Sequence, residues 1–318
     1  MTIEKPWLEG KLDSLLKEAE ELSNLHEGVY YEVGAWAPLK LIVLLLYLDV
    51  YTKIIPKQIP KHFDSMVYVD LLAGSGINRI RDTGHRIIGS PLIAATASHR
   101  PFTKLFFVEG IPERSKALED RLKTVIDKNR FEVYHENCNA AVDKIVEAHL
   151  KKRRSHHLAF IDCQGLDVDW ATMEKILKYP GDLIFTFQTA LIVRTRDYPD
   201  RLNKFYGDDS WKTAKSGDDF LRCYEDKLRE YRDIVINIRI KEKRRGGFYY
   251  HLIFATRKTK GGNPWLQAVD LIKNRIENHT GDAVKYAFDV LSGDATKLDW
   301  FVSGGDEQDN LQRSLFDF

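Results

Sequence analysis

Between residues 66 and 187, short apolar runs of strand length alternate with stretches whose apolar residues recur at helical spacing. The runs fall at 66 to 72, 104 to 109, 131 to 135, 157 to 162 and 182 to 187, and the helical stretches near 90 to 99, 112 to 127, 139 to 150 and 169 to 178. Strands and helices alternating in this way predict a parallel sheet with helices on both faces. A helix at 218 to 231 then leads into two strand-like runs, Asp233 to Lys241 and Gly247 to Ala255, joined by the charged turn Glu242 to Gly246. They read as a closing hairpin. Ahead of the sheet, Leu12, Leu15, Leu16 and Ala19 recur at helical spacing, and an apolar run from Leu39 to Val50 continues until Pro56 and Pro60 break it. Three parts are expected: an N-terminal helical extension over 1 to 60, an α/β core over 61 to 260, and a C-terminal segment over 261 to 318. That last segment carries an amphipathic helix at about 265 to 277 and a loose polar tail from Ser303.

The chemistry concentrates where the first strand of the core ends. Val67-Tyr68-Val69-Asp70-Leu71-Leu72-Ala73-Gly74-Ser75-Gly76 runs from a buried strand into an acidic residue and a turn opened by glycines, which admit a ligand close to the backbone. Phe106-Phe107-Val108-Glu109 follows as a second strand ending in a carboxylate, the residue type that holds a ribose diol. A dinucleotide fingerprint would place a third glycine after Gly76, where Ile77, Asn78 and Arg79 stand instead. The pattern instead resembles the D-x-x-x-G-x-G turn of class I methyltransferases that use S-adenosylmethionine. That resemblance puts Asp70 near the cofactor's ammonium group and the Ala73, Gly74, Ser75 and Gly76 backbone near its carboxylate and ribose. The separation of Asp70 and Glu109 exceeds the roughly 20 residues of a compact nucleotide-binding unit. Residues 77 to 89, polar and rich in arginine, are expected to account for the excess as a long loop. The next helix opens at Gly89-Ser90-Pro91-Leu92, with Ser90 as N-cap and a candidate to face the ligand.

A chain of 318 residues, 43% hydrophobic and 30% charged, has the composition of a folded globular protein with one large core. Its formal net charge of +1 argues against a protein that coats nucleic acid, without excluding a local basic groove. Cys138, Cys163 and Cys223 are odd in number and widely spaced, so neither a disulfide framework nor a zinc knuckle is expected. The apolar run from Leu39 is interrupted by Lys40 and falls short of the ~20 residues that cross a bilayer. No membrane partner and a cytoplasmic location are expected.

Taken in order, these pieces resemble the three-Cys-motif partner protein family (TcmP). The residues that carry the resemblance are Glu32-Val33-Gly34-Ala35-Trp36-Ala37, Lys40-Leu41, Asp70 to Gly76, Gly89-Ser90-Pro91-Leu92, Phe107-Val108-Glu109, Ile161-Asp162-Cys163-Gln164-Gly165-Leu166, Arg194, and Phe205-Tyr206-Gly207 with Trp211. They span roughly residues 26 to 275. The resemblance implies a Rossmann-like class I methyltransferase sheet of about seven strands, its last strand inserted antiparallel between the fifth and sixth. It also implies a partner that contains a three-cysteine motif of the radical-SAM type.

The fourth strand departs from that family, reading Asp162-Cys163-Gln164-Gly165 where the family has Asp-Pro-x-Gly. In amino-methyltransferases the tetrapeptide here holds a flipped base or another amine, with a stacked aromatic that this chain lacks after Asp162. Cys163-Gln164 also resembles the Pro-Cys-Gln of cytosine-C5 methyltransferases, whose thiolate attacks the base, although a cysteine ending a buried strand also serves as small core filler. Asp162 and Cys163 are therefore the candidate catalytic residues. Asn137, closing the third strand, is the candidate to bind the adenine amino group. Lys151 to Arg154, Lys241 to Arg245, and Arg79, Arg81 and Arg86 offer either solvated turns or a phosphate-contacting rim. Two functions stay open at this point: a methyltransferase acting on nucleic acid or a protein associated with it, and a non-catalytic cofactor-binding scaffold for the radical-SAM-like partner.

Overall fold

The computed structural model describes residues 7–96, 99–259, 263 and 265–295; the expected tail from Ser303 lies outside them. In chain order the elements are α1 (Trp7–Leu22), β1 (Tyr31–Val33), α2 (Ala37–Ile54), β2 (Ser65–Asp70), β3 (Ile77–Ile80), β4 (Arg86–Ile88), α3 (Ser90–Thr96), β5 (Lys104–Val108), α4 (Pro112–Val125) and β6 (Phe131–Tyr134). There follow α5 (Cys138–Ile145), β7 (Ser155–Ile161), α6 (Trp170–Leu177), β8 (Gly181–Phe187), α7 (Thr189–Arg194), α8 (Pro199–Tyr206), α9 (Gly217–Arg229), β9 (Ile234–Lys241), β10 (Tyr249–Thr256), α10 (Trp265–Glu277) and α11 (Gly281–Ser292).

Seven strands form the main sheet in the order β6-β5-β2-β7-β8-β10-β9. The five strands from β6 to β8 are parallel, and β10 runs antiparallel to both β8 and β9. The last strand is thus inserted between the fifth and the sixth, which makes this an α/β, Rossmann-like sheet of the class I methyltransferase type.

Alternation along each strand divides the core in two. Met66 and Tyr68 of β2, Leu105 and Phe107 of β5, Leu158 and Phe160 of β7, and Leu252 and Phe254 of β10 face the side covered by α1, α2, α3, α4, α10 and α11. Val67 and Val69, Phe106 and Val108, Ala159 and Ile161, and Ile253 and Ala255 face the side covered by α5, α6, α8 and α9. Helix α2 is apolar around most of its circumference because it is sandwiched between the sheet and the outer helices α10 and α11. Burial of each large side chain in these layers stabilises by about 1.5–3 kcal/mol. No helix among the described residues is long and apolar enough to cross a membrane.

The structure corrects one expectation directly. Residues 77 to 88 are not a loop: β3 and β4 pair antiparallel, and β1 adds to β3 in parallel, giving a separate three-stranded sheet. Ile77, Ile80, Ile87 and Ile88 are buried, so the arginines between them occupy the outer positions of a short amphipathic hairpin. The stretch read as wholly helical therefore also contributes a strand, β1.

Candidate functional site

Because β2, β5, β6, β7 and β8 are parallel, the residues that end them are brought to one edge of the sheet. The turn after β2 forms the centre of that edge. Gly74 and Gly76 take φ values of +65° and +82°, a region that side chains rarely adopt. A Cβ on Gly76 would lie 3.1 Å from Leu118 Cδ1, whereas one on Gly74 would meet nothing within 4 Å. Gly76 is therefore a packing glycine, and Gly74 leaves its side of the turn open to a ligand. The turn is fixed by Ala73 N donating to Val108 O at 2.9 Å and by Gly89 N donating to Gly76 O at 2.7 Å. Ser75 donates its hydroxyl to Ile77 O at 3.1 Å.

Asp70 lies beneath this turn and is completely buried. Its Oδ1 accepts from Leu72 N at 3.2 Å, and its carboxyl also bonds the Ser90 hydroxyl. Burial pushes the carboxyl up to about 7, against the hydrogen bonds from Ser90 and Leu72 that favour its charge. Ser90 is thus the opening residue of α3 and a partner of Asp70, in place of the expected N-cap. Glu109 ends β5 half-buried, with Oε1 accepting from Ile111 N at 2.8 Å. Asn137 follows β6, is exposed, and caps α5 by accepting from Asn139 N at 2.9 Å.

Asp162 follows β7 on the face that carries α2. One of its oxygens pairs with Lys40 Nζ at 2.5 Å and the other accepts from the Thr186 hydroxyl at 2.8 Å. Lys40 is only 5% exposed. Sequence reasoning gave it no functional role, yet a lysine between Leu39 and Leu41 at the start of a long apolar run is itself a signal, because a buried charge requires a partner.

Cys163 points to the opposite face and is fully buried in the second core layer. Burial, reinforced by the charges of Asp167 and Asp162 and by Cys138, pushes its thiol well above the usual range. Among the described residues the charges that act most on it are carboxylates, which oppose the thiolate that a nucleophile needs. The loop after it is held by Asn139, whose Nδ2 donates to Asp167 O at 2.9 Å and whose Oδ1 accepts from Asp169 N at 3.0 Å and from Thr172 Oγ1 at 2.7 Å.

Two further contacts at this edge came from residues not singled out by sequence. Tyr31 of β1 sits under Arg114, the guanidinium 4.6 Å from the ring centre. Burial raises its phenol, the Arg114 charge opposes that, and the charges of Asp162, Asp167 and Glu109 raise it further. Arg121 of α4, 1% exposed, donates to Ser75 O at 2.7 Å, to Leu22 O at 3.1 Å, to Leu25 O at 2.7 Å and to His26 O at 3.2 Å. It ties the chain after α1 to the glycine turn. Of the arginines considered for a phosphate rim, Arg79 pairs with Glu32 at 3.0 Å, and both Arg79 and Arg86 lie over the Tyr30 ring.

No protein-family model matches the chain, and no curated protein matches it. Among solved structures it is similar to the O-methyltransferase TomG from Streptomyces achromogenes, determined in complex with SAM, with 12% identity over 80% of this chain and 92% of that one, at a TM-score of 0.40. It is also similar to the O-methyltransferase from Bacillus cereus in complex with SAH, with 12% identity over 77% of this chain and all of that one (100%), at a TM-score of 0.36. The fold assignment stands on the strand order and register of the chain itself.

Proposed function

We propose that the chain binds S-adenosylmethionine at the carboxyl edge of its sheet and methylates nucleic acid or a protein associated with it. The observation that carries this reading is the open, left-handed Gly74 in the turn after the first strand of a class I sheet. The residues present fit the cofactor. The Ala73 to Gly76 backbone would hold its amino-acid end, Glu109 its ribose diol, and the second lone pair of Asn137 Oδ1 its adenine amino group. Asp70 and Ser90 would act from below, by fixing the turn. When bound, the cofactor supplies an electrophilic methyl group. Asp162, aimed and charge-paired by Lys40 and Thr186, is the residue that would orient the acceptor, while Cys163 has only a packing role in this reading.

On the same ordered motifs we infer membership of the TcmP family and a three-Cys-motif, radical-SAM-like partner, which copurification of the two chains tests. The cofactor assignment is tested by equilibrium binding of S-adenosylmethionine to wild type and Glu109→Ala. A charge-assisted hydrogen bond of ~1.5–3 kcal/mol makes a loss of about tenfold or more the expected result. Unchanged affinity in the variant removes Glu109 from the site.

A further inference from the structure

The cluster around Lys40 is incomplete in a way that specifies what completes it. Register places Ile161 beside Phe185 and Thr186 beside Leu252, so Asp162 and Thr186 lie abreast on neighbouring strands. Tyr250 lies two residues from Leu252 on the same face of β10, toward the same edge. Lys40 of α2 reaches the group from above through its contact with Asp162. An aromatic row borders the group: Trp36, one helical turn before Lys40, packs on Phe248 at 5.4 Å, and Phe248 packs on Tyr250 at 6.0 Å. Trp36 and Phe248 are only half-buried.

Two donors in this cluster have hydrogens to spare. The Tyr250 hydroxyl is buried, the residue 2% exposed, and has no hydrogen-bond partner among the described residues. The Lys40 ammonium has three hydrogens and, among the described residues, Asp162 as its partner. Buried polar groups are rarely left unpaired, and those that are point to a missing ligand or water. Both oxygens of Asp162 are already engaged, which leaves one lone pair or so on each for a further donor.

We propose that Lys40, Asp162 and Tyr250 form the pocket for the methyl acceptor, and that the acceptor atom is a hydroxyl oxygen, which in a nucleic acid means a ribose hydroxyl of RNA. This rests on the methyltransferase reading above and narrows its substrate. A hydroxyl oxygen accepts from Tyr250 Oη with one lone pair, directs its hydrogen at Asp162 beside the Lys40 charge, and keeps its second lone pair for the methyl group. On transfer the oxygen–methyl bond would form as the methyl–sulfur bond breaks, S-adenosylhomocysteine would leave, and the hydroxyl proton would pass to the Asp162 carboxylate. An aliphatic amine is a cation at neutral pH and is repelled by Lys40. The amino group of a nucleobase is a donor and leaves the Tyr250 hydroxyl unpaired. Burial and the Asp162 charge hold the Tyr250 phenol well above its usual range, so it stays a donor at neutral pH.

The test uses the full chain with labelled S-adenosylmethionine and two probes, total RNA and DNA, followed by digestion to nucleosides and identification of the methylated atom. The pocket predicts label on the ribose oxygen of RNA and none on DNA. In Tyr250→Phe, transfer should fall at least tenfold, while S-adenosylhomocysteine affinity is unchanged and the melting temperature is unchanged or higher, because the lost hydroxyl made no bond. A structural role would lower the melting temperature instead. Label on nitrogen or carbon, transfer unaffected by Tyr250→Phe, or a wild type that binds S-adenosylhomocysteine yet labels neither probe would each overturn the hydroxyl pocket. Failure of the wild type to bind S-adenosylhomocysteine at all overturns the cofactor reading beneath it.

Discussion

Asp70 holds its carboxyl at about 7 because burial disfavours the charge more than Ser90 and Leu72 N favour it. The ordinary value is 3.8, so the folded chain retains a proton that the unfolded chain has released. Its contribution to stability is present below the unfolded value and is lost as pH rises through about 7. Melting temperatures of wild type and Asp70→Asn should therefore diverge as pH rises from about 4 to about 7, wild type losing more, and run parallel above that. A cation bound above the turn favours the ionised carboxylate, so S-adenosylmethionine affinity should rise as pH passes through about 7 in wild type and not in Asp70→Asn; parallel pH profiles would contradict the placement. Arg121 makes a second residue-scale prediction. Arg121→Met leaves the buried carbonyls of Leu22 and Ser75, and the partly buried ones of Leu25 and His26, without their donor; a loss of about 3 kcal/mol in denaturant unfolding is expected, with faster hydrogen exchange in the glycine turn. Asp70, Gly74 and Glu109 were legible in the sequence because each ends a strand or opens a turn. Lys40, Thr186, Tyr250 and Arg121 were not, because their roles depend on partners far along the chain that only the sheet register brings together.

At the scale of elements, the five parallel strands and the closing hairpin were legible from runs of apolar residues long enough to read. The small sheet was not. Its strands span three or four residues each, too few for alternation to stand out, and β1 is separated from its partner β3 by all of α2 and β2. Arginine content made 77 to 89 read as loop, whereas Ile80 and Ile87 are completely buried. The two readings differ in a measurable way. In a solvated loop Ile80→Ala would be nearly neutral, but from the observed hairpin it should cost about 2–4 kcal/mol in denaturant unfolding. Since β3 continues directly from the glycine turn, the same variant should weaken cofactor binding; an effect under about 0.5 kcal/mol on stability would mean that the hairpin is not packed as described.

The whole molecule has a formal net charge of +1, so attraction to a polyanion depends on local groups. With Arg79 committed to Glu32, Arg81 and Arg86 are what the hairpin offers to phosphates. Two contacts give a slope of about −1.8 in log affinity against log salt on B-DNA, and a steeper slope would reveal a larger basic surface elsewhere. The central claim is nevertheless about the cofactor, and it turns on Gly74. That position has φ +65° with open space around it, so Gly74→Val should cost the fold only about 1–2 kcal/mol of backbone strain while placing carbon atoms where the ligand must pass. Calorimetric titration of wild type and Gly74→Val with S-adenosylhomocysteine and with NAD tests this most directly. One S-adenosylhomocysteine is expected to bind per wild-type chain, with no NAD binding, and the S-adenosylhomocysteine signal should be lost in a Gly74→Val protein that still melts cooperatively. NAD binding by the wild type without S-adenosylhomocysteine binding, or equal S-adenosylhomocysteine affinity in the two proteins, would contradict it.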